Sequence, residues 1–126
     1  MKIEHIAIWV KDLEKIKSFY EKYFGAISSK LYHNQKTGFK SYFLSFDDGA
    51  RIEIMSKSNI NKEKQENSIG YAHLSISLGS KEKVDEYTEI FRKDGYEIIS
   101  EPRITGDRYY ESVISDFEHN LIELTV

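Results

Sequence analysis

Residues 120–126 read Asn-Leu-Ile-Glu-Leu-Thr-Val, and this stretch decides how the rest of the chain is interpreted. Successive side chains of a β-strand point to opposite faces, so Glu123 lies on the face away from its two aliphatic neighbours. The segment 51–55, Arg-Ile-Glu-Ile-Met, repeats the arrangement around Glu53. In two further predicted strands a histidine takes the corresponding place, at His5 and His73. The pattern predicts one site built from two histidines and two glutamates.

The order of predicted elements occurs twice along the chain, as strand, helix and three strands. The two histidines are 68 residues apart and the two glutamates are 70 apart, so the halves align almost without gaps. We therefore predict an α+β domain over residues 1–126, with module 1 at about 1–56, a polar linker at 57–68 and module 2 at about 69–126.

Each module is predicted to contain one amphipathic helix. The first follows Asp12 and ends near Gly25, and the second follows Ser80 and ends near Gly95. Strands are predicted at about 3–10, 26–34, 39–47, 71–78 and 96–100, with further strands around Glu53, at 109–115 and around Glu123.

Composition excludes several classes of protein. The net charge is −3, with 18 basic and 21 acidic residues mixed along the chain, which predicts no nucleic-acid partner. No apolar run is long enough to span a membrane, and a cytoplasmic protein is predicted. Because the chain contains no cysteine, any metal chemistry must use imidazole and carboxylate ligands.

Two neutral imidazoles and two carboxylates balance the charge of one divalent cation. Four such ligands leave coordination positions for water or substrate, as catalysis requires. We therefore predict one divalent ion per site, held by His5, Glu53, His73 and Glu123. Nickel, zinc and cobalt all accept these ligands, and the sequence does not distinguish them.

Other polar and aromatic residues are weaker candidates. Arg51 shares a face with Glu53 and is interpreted either as a substrate anion contact or as an ion-paired arginine. Strand alternation also places Trp9, Tyr71, Met55 and Phe43 on the glutamate side, as pocket walls or as core or dimer packing. A turn role is predicted for His119, and His33 has no counterpart in the other half. The loop 104–108 is either a plain surface loop or a lid.

Over its whole length the chain resembles the vicinal oxygen chelate superfamily, also called the glyoxalase, bleomycin-resistance and dioxygenase fold. The resemblance is carried by four motifs: His5-Ile6-Ala7-Ile8-x-Val10-x-Asp12-Leu13, the helix end Phe19-Tyr20 to Phe24-Gly25, Ala72-His73-Leu74-Ser75-Ile76, and Asp116-x-x-x-Asn120-x-Ile122-Glu123-Leu124. It implies paired βαβββ modules that form a U-shaped mixed sheet around a metal, usually in a homodimer.

Within the superfamily, the ligand order His, Glu, His, Glu is similar to that of glyoxalase I, the lactoylglutathione lyase. The resemblance implies conversion of the hemithioacetal of a 2-oxoaldehyde and a thiol into a 2-hydroxyacyl thioester, by proton transfer through a metal-bound enediolate. Glu123 would be the catalytic base, and Glu53 would act with it. Two departures concern the thiol: Trp9 and the segment Lys57-Ser58 stand where glyoxalase I usually carries an arginine and an asparagine for glutathione.

Two alternatives stay open on sequence grounds. One is an epimerase similar to methylmalonyl-CoA epimerase, although that family has glutamine at the position of Glu53. The other is a metal-free protein that binds a drug or other small molecule and confers resistance. Thiol transfer of the fosfomycin type is disfavoured, because that subgroup leaves the position of Glu53 unused.

Overall fold

The structure is a computed structural model that describes residues 1–60, 62 and 69–126. The predicted linker at 57–68 falls largely outside the described residues. The chain divides into two compact units, Met1–Glu63 and Lys64–Val126. Each unit contains one helix and one mixed sheet, so the fold is α+β, as predicted.

The first unit contains β1 (His5–Trp9), α1 (Leu13–Phe24), β2 (Ile27–Ser28), β3 (Tyr32–Asn34), β4 (Phe39–Ser45) and β5 (Arg51–Ser56). Its sheet has the order β1-β5-β4-β2, and β3 also pairs with β4. The first and last strands, β1 and β5, are parallel neighbours, whereas β4 is antiparallel to its partners.

The second unit contains β6 (Leu74–Ser77), α2 (Lys81–Lys93), β7 (Ile98–Ile104), β8 (Tyr110–Ser115) and β9 (Leu121–Thr125). Its sheet has the order β6-β9-β8-β7. Here too the first and last strands, β6 and β9, are parallel, and the other pairs are antiparallel.

Each helix covers one face of the sheet in its own unit. Helix α1 packs on β4 and β5, and α2 packs on the last three strands of the second unit. The aliphatic residues that flank the two glutamates lie on these covered faces, where they are at most 7% exposed: Ile52, Ile54, Ile122 and Leu124. Strand alternation then places Glu53 and Glu123 on the uncovered faces, as predicted.

Side-chain and backbone caps fix both helices. The carboxylate of Asp12 accepts a hydrogen bond from the Lys15 amide, and the Ser80 hydroxyl accepts one from the Lys83 amide. Gly25 ends α1 in the left-handed conformation with a φ of 63°. The predicted helix boundaries at these three residues are confirmed.

Three predicted strands differ from the observed ones. The stretch 26–34 is two short strands, because the Ser29 hydroxyl accepts the Phe43 amide hydrogen and interrupts the ladder with β4. Strand β7 continues through Pro102, which is compatible with its edge position and with the register shift between Ser100 and Arg103.

The third difference concerns the strand predicted at 71–78, since β6 begins only at Leu74. In the parallel register Leu74 lies opposite Ile122, so residue 72 would lie opposite Asn120. The amide of Asn120 is instead bonded to the carboxylate of Asp116 in the preceding turn. The ladder between β6 and β9 therefore begins at Leu74, and Tyr71 and His73 precede the strand.

Candidate functional site

In the first unit, His5 and Glu53 face each other across the parallel strands β1 and β5. The Nε2 atom of His5 is 3.8 Å from Oε2 of Glu53. The Glu53 side chain is 16% exposed and that of His5 is 38% exposed, so both reach solvent from the face that the helix leaves uncovered. The ring of His5 also packs edge-on against Phe43, with their centroids 5.2 Å apart.

The second unit contains the equivalent pair. The Nε2 atom of His73 is 3.3 Å from Oε2 of Glu123, and the Glu123 side chain is again 16% exposed. The pairing register explains the equivalence: Glu53 lies opposite Ala7, two residues after His5, and Glu123 lies opposite Ser75, two residues after His73. The repeat inferred from spacing is therefore also a repeat of strand register.

The geometry of each pair is compatible with two ligands of one metal ion. Nitrogen and oxygen ligands at about 2.1 Å from a zinc-like ion lie about 3–3.4 Å apart at coordination angles between octahedral and tetrahedral. The His73–Glu123 pair lies within this range, and the His5–Glu53 pair exceeds it by a few tenths of an ångström. Among the described residues no group of three or more such side chains is assembled. Each pair by itself thus offers two side chains that could ligate a metal ion.

Charged neighbours surround the first pair. Glu4 bonds to Nδ1 of His5 and to the guanidinium of Arg51, and Arg51 lies over the Phe43 ring at 4.2 Å. The hydrogen bond from His5, together with Arg51, lowers the pKa of the Glu4 carboxyl. A carboxylate on Nδ1 fixes the His5 ring so that Nε2 faces Glu53, an arrangement common at histidine metal ligands. Of the two interpretations of Arg51, the structure shows the ion-paired one, with Glu4 as the partner.

The second pair has polar neighbours that the first one lacks. The Ser75 hydroxyl donates a 2.6 Å hydrogen bond to Oε1 of Glu123, where the first unit has Ala7. Glu111 lies beside Glu123, and its burial, followed by the Glu123 charge and a hydrogen bond between the two carboxyls, raises the pKa of Glu111. Arg103 is 3.6 Å from the Glu111 carboxylate. The two units therefore present different surroundings to similar His–Glu pairs.

Sequence reasoning missed Glu4, Ser75 and Glu111. A signal existed for Glu111, because alternation in the predicted strand 109–115 places it on the face opposite to Ile114, which is fully buried. Ser75 likewise lies two residues after His73, so alternation in the predicted strand 71–78 places the two on one face. Glu4 carried no comparable signal, because alternation in the predicted strand 3–10 places it on the face opposite His5.

The predicted pocket walls have mixed outcomes. Trp9 and Met55 are register partners on β1 and β5, and Trp9 is 43% exposed with Lys57 Nζ lying 4.9 Å from its ring centre. Tyr71 is 81% exposed and lies outside the strands. The structure thus places Trp9 and Met55 in the same strand pair as His5 and Glu53, and Tyr71 outside the second sheet.

The remaining histidines do not join either pair. His119 occupies the turn before β9 with a φ of 64°, and its amide bonds to the Asp116 carbonyl, so the predicted turn role is confirmed. His33 lies in β3, opposite Lys40. In the loop 104–108, the Thr105 hydroxyl bonds to the Asp107 carboxylate and to the Tyr109 carbonyl. Neither helix in the described part of the chain is long and apolar enough to cross a membrane.

Comparison with known proteins agrees with this architecture. Residues 2–124 match the family model described as the glyoxalase/bleomycin resistance protein/dioxygenase superfamily. The fosfomycin resistance protein FosX of Listeria monocytogenes is 30% identical over 128 residues, which cover 97% of this chain and 86% of that protein.

Solved structures show the same similarity. Crystalline FosX from Listeria monocytogenes with Mn(II) and sulfate has a TM-score of 0.72 and 27% identity, covering 98% of this chain and 90% of FosX. A mutant glyoxalase I from Zea mays has a TM-score of 0.81 at 20% identity, covering 98% of this chain but only 44% of the maize chain. At 20% identity, the similarity to the maize protein shows a shared fold alone.

Proposed function

Because the chain belongs to the glyoxalase/bleomycin resistance protein/dioxygenase superfamily, we propose that it is a metal-dependent lyase or isomerase of the glyoxalase I type. Its substrate would be the hemithioacetal of a 2-oxoaldehyde and a thiol, and its product a 2-hydroxyacyl thioester. One observation carries this proposal: each unit sets a histidine against a glutamate, at 3.8 Å for Glu53 and 3.3 Å for Glu123. Both glutamates of the glyoxalase I ligand set are therefore present and accessible.

The proposed metal ligands are His5, Glu53, His73 and Glu123. Their donor atoms suit nickel, zinc or cobalt, and the two carboxylates would neutralise a divalent charge. Such an ion, when bound, would act as a Lewis acid that stabilises negative charge on the substrate oxygens. The manganese in the FosX crystals belongs to a relative of this chain and supports metal dependence in general.

Proton transfer is assigned to Glu123, with Glu53 as its counterpart on the first unit. The Glu123 carboxylate has one oxygen facing His73 and the other accepting the Ser75 hydroxyl, which holds the carboxylate plane in one orientation. A fixed carboxylate that reaches solvent can remove a proton from one substrate carbon and return it to the neighbouring carbon. Ser75 is the positioning residue in this scheme.

Substrate contacts are assigned to Arg51, Trp9, Met55 and Tyr71. Arg51 would meet a substrate anion by exchanging its present partner, the carboxylate of Glu4, for that anion. Trp9 and Met55, paired across β1 and β5, offer an aromatic and a thioether surface. Tyr71 is 81% exposed, so its ring can contact a ligand.

The experiment that tests the proposal combines metal loading with a lyase assay. Chelator-treated protein is reloaded with nickel, zinc, cobalt or manganese and assayed on methylglyoxal with several thiols. We expect thioester formation that depends on the metal and is lost in Glu123→Gln, while circular dichroism of the variant stays native. Full activity of Glu123→Gln would exclude the assigned base. Absence of thioester with every thiol and metal would reject the glyoxalase I proposal.

A second candidate is resistance to fosfomycin, favoured by the 30% identity with FosX over nearly the whole chain. Glu53 separates the two candidates, because the resemblance implies that the fosfomycin-resistance subgroup does not use this position. Fosfomycin loss is followed by phosphorus NMR with wild type, Glu53→Gln and Glu123→Gln. Loss that survives Glu53→Gln but not Glu123→Gln supports the second candidate, and an unchanged fosfomycin signal with wild-type protein rejects it.

The same preparations test the other predictions. A thioester epimerase would exchange the proton next to the thioester carbonyl with deuterium from solvent, and a binding protein would hold its ligand without turnover in either assay. The predicted homodimer is checked by sedimentation at several protein concentrations. The cytoplasmic location is checked by cell fractionation.

A further inference from the structure

One carboxylate in the first unit bonds both a candidate metal ligand and a cationic side chain. Oε2 of Glu4 accepts a hydrogen bond from Nδ1 of His5, and Oε1 of the same carboxylate accepts one from Nη2 of Arg51. The backbone joins these residues as well, because the Arg51 amide donates a 3.0 Å hydrogen bond to the Glu4 carbonyl and His5 is the register partner of Arg51. The Glu4 carboxylate is therefore shared between two side chains at the start of the pairing of β1 with β5.

The contact with Glu4 determines which nitrogen of His5 can bind a cation. An ionised carboxylate has only acceptor oxygens, so the shared ring proton lies on Nδ1 and Nε2 carries the lone pair. Nε2 is also the atom that faces Oε2 of Glu53, at 3.8 Å. A carboxylate on Nδ1 makes the opposite nitrogen a stronger ligand, and loss of such a partner typically weakens metal affinity by about 10- to 100-fold.

Arg51 has a second contact besides this carboxylate. Its guanidinium lies over the Phe43 ring at 4.2 Å, so the ring can keep the guanidinium in place while its anionic partner is exchanged. The side chains of Arg51 and Glu4 are 39% and 54% exposed, so a ligand can reach both from solvent. An ion pair this exposed contributes a factor of about 5 at most to an equilibrium constant. A substrate group with two oxygens can therefore replace Glu4 at the guanidinium.

The second unit does not repeat this arrangement. The residue before its histidine is Ala72, and the residue two before its glutamate is Leu121, where the first unit has Glu4 and Arg51. Neither of these two side chains carries a charge. The shared carboxylate thus distinguishes the first His–Glu pair from the second.

We propose that Glu4 is a positioning residue that couples the capture of a substrate oxyanion by Arg51 to metal binding by His5. The roles of His5 as a ligand and of Arg51 as a substrate contact come from the proposed function, on which this coupling rests. When an oxyanion pairs with Arg51, the Glu4 carboxylate keeps its bond to His5 and its whole charge acts on the imidazole. A metal on Nε2 in turn makes Nδ1–H a stronger donor, which draws Glu4 away from Arg51. Each ligand therefore raises the affinity for the other by the same factor.

The test measures the cobalt affinity of the chelator-treated full chain, by calorimetry and by the visible absorption of bound cobalt. Each titration is run with and without sulfate or acetate, at constant ionic strength and pH. We expect saturating anion to tighten cobalt binding by about 5-fold in the wild type, the most that release of an exposed ion pair supplies. In Arg51→Gln the effect of the anion should fall below 2-fold, because the anion loses its contact.

Glu4→Gln separates the charge of the carboxylate from its hydrogen bond. The glutamine oxygen can still accept the hydrogen on Nδ1 of His5, but it carries no charge to share between His5 and Arg51. Cobalt binding should be about 10-fold weaker in this variant, and the effect of the anion should again fall below 2-fold. A full anion effect in Glu4→Gln would show direct attraction between metal and anion and would overturn the proposal.

The matched control is Glu101→Gln, which removes the carboxylate that pairs with the exposed Arg92 at 2.6 Å in the second unit. This variant makes the same charge change and should keep the wild-type cobalt affinity and anion effect. If Glu4 only stabilises the fold, Glu4→Gln will lower the melting temperature and leave both binding quantities unchanged, which would overturn the proposal.

The variant His5→Gln separates failure of the coupling from failure of the ligand set. Weaker cobalt binding in His5→Gln, together with no anion effect in the wild type, would overturn the coupling and leave the proposed ligands supported. Equal cobalt affinity in the wild type and His5→Gln would reject His5 as a ligand, and the coupling with it.

Discussion

The turn before β9 is held by the buried carboxylate of Asp116. Exchanging the side chains of Asp116 and Asn120 tests how much their contact contributes to the free energy of unfolding. Asp116 is 3% exposed and accepts hydrogen bonds from the Glu118 amide at 2.8 Å, the Asn120 amide at 2.9 Å and the Asn120 side chain at 2.9 Å. In Asp116→Asn the oxygen that accepts both backbone amides remains. The new side-chain NH₂ instead meets the NH₂ of Asn120, so two donors face each other.

One lost hydrogen bond to a charged acceptor and one unsatisfied buried donor together cost about 2 kcal/mol, after relief of the buried charge is allowed for. A chain of 126 residues loses about 4 °C of melting temperature per kcal/mol, so Asp116→Asn should melt about 8 °C lower. Asn120→Asp alone places two carboxylates together and should also destabilise. The double variant Asp116→Asn/Asn120→Asp restores one donor and one acceptor and should recover more than half of the loss.

Thermal and urea unfolding of the four proteins at pH 7 measure this cycle. Asp48→Asn is the matched control, because Asp48 is exposed and its bond to the Gly49 amide survives the substitution; its change should stay below about 0.5 kcal/mol. If the two single losses simply add in the double variant, the donor–acceptor contact between residues 116 and 120 does not stabilise the turn, and the reasoning is refuted.

The same carboxyl predicts a pH dependence. Burial raises the pKa of Asp116 above its ordinary value of 3.8, against the opposing effect of its hydrogen bonds. A raised folded-state pKa means that the folded chain binds the proton more tightly, so this group contributes stability below pH 3.8 that is lost as the pH rises through the folded-state pKa. The stability difference between wild type and Asp116→Asn should therefore be larger at pH 4 than at pH 7, and a smaller difference at pH 4 would contradict the assignment.

Three further predictions concern metal binding and the framework. Nickel or zinc at a hundred times its dissociation constant should stabilise the protein by about 2.7 kcal/mol, or about 10 °C in calorimetry. His5→Gln should lose most of that shift and His33→Gln none, and equal shifts in all three proteins would reject the ligand set. Thr88→Val removes a buried hydroxyl that bonds the Val84 carbonyl and the Ser112 hydroxyl at 2.7 Å each, so urea unfolding should show a loss of about 1–2 kcal/mol. Additional Ser112→Ala should return part of it, and a neutral Thr88→Val would mean that these bonds add nothing. Gly25→Ala should lower the free energy of unfolding by about 1 kcal/mol, because φ at this position is 63°. Apart from the adjoining residues no atom lies within 4 Å of the added carbon, so a loss above about 3 kcal/mol would point to a steric cause instead.

Periodicity was sufficient to predict the glutamate faces. A carboxylate between two buried aliphatic residues has one possible side in a helix-covered strand, and both Glu53 and Glu123 obey this rule. The helix ends were equally predictable, because Asp12, Ser80 and Gly25 act through contacts within one turn. Local rules therefore accounted for the two helices and for the strands that carry the two glutamates.

Features that depend on distant partners were not predictable in the same way. The late start of β6 follows from the hydrogen bond between Asn120 and Asp116, far along the chain from Tyr71. The contact between Glu111 and Glu123 depends on the register of β8 with β9, which alternation alone does not specify.

The parallel pairing of the first and last strands in each unit has a consequence for assembly. His5 and Glu53 lie on the first and last strands of the first unit, so their side chains meet only after the helix and the intervening strands have taken their places. A segment truncated before β5 would retain the imidazole but lack its acidic partner. Under the proposed ligand set, cation affinity would report that the module has closed, and a folding intermediate without its final strand would bind no cation through this pair.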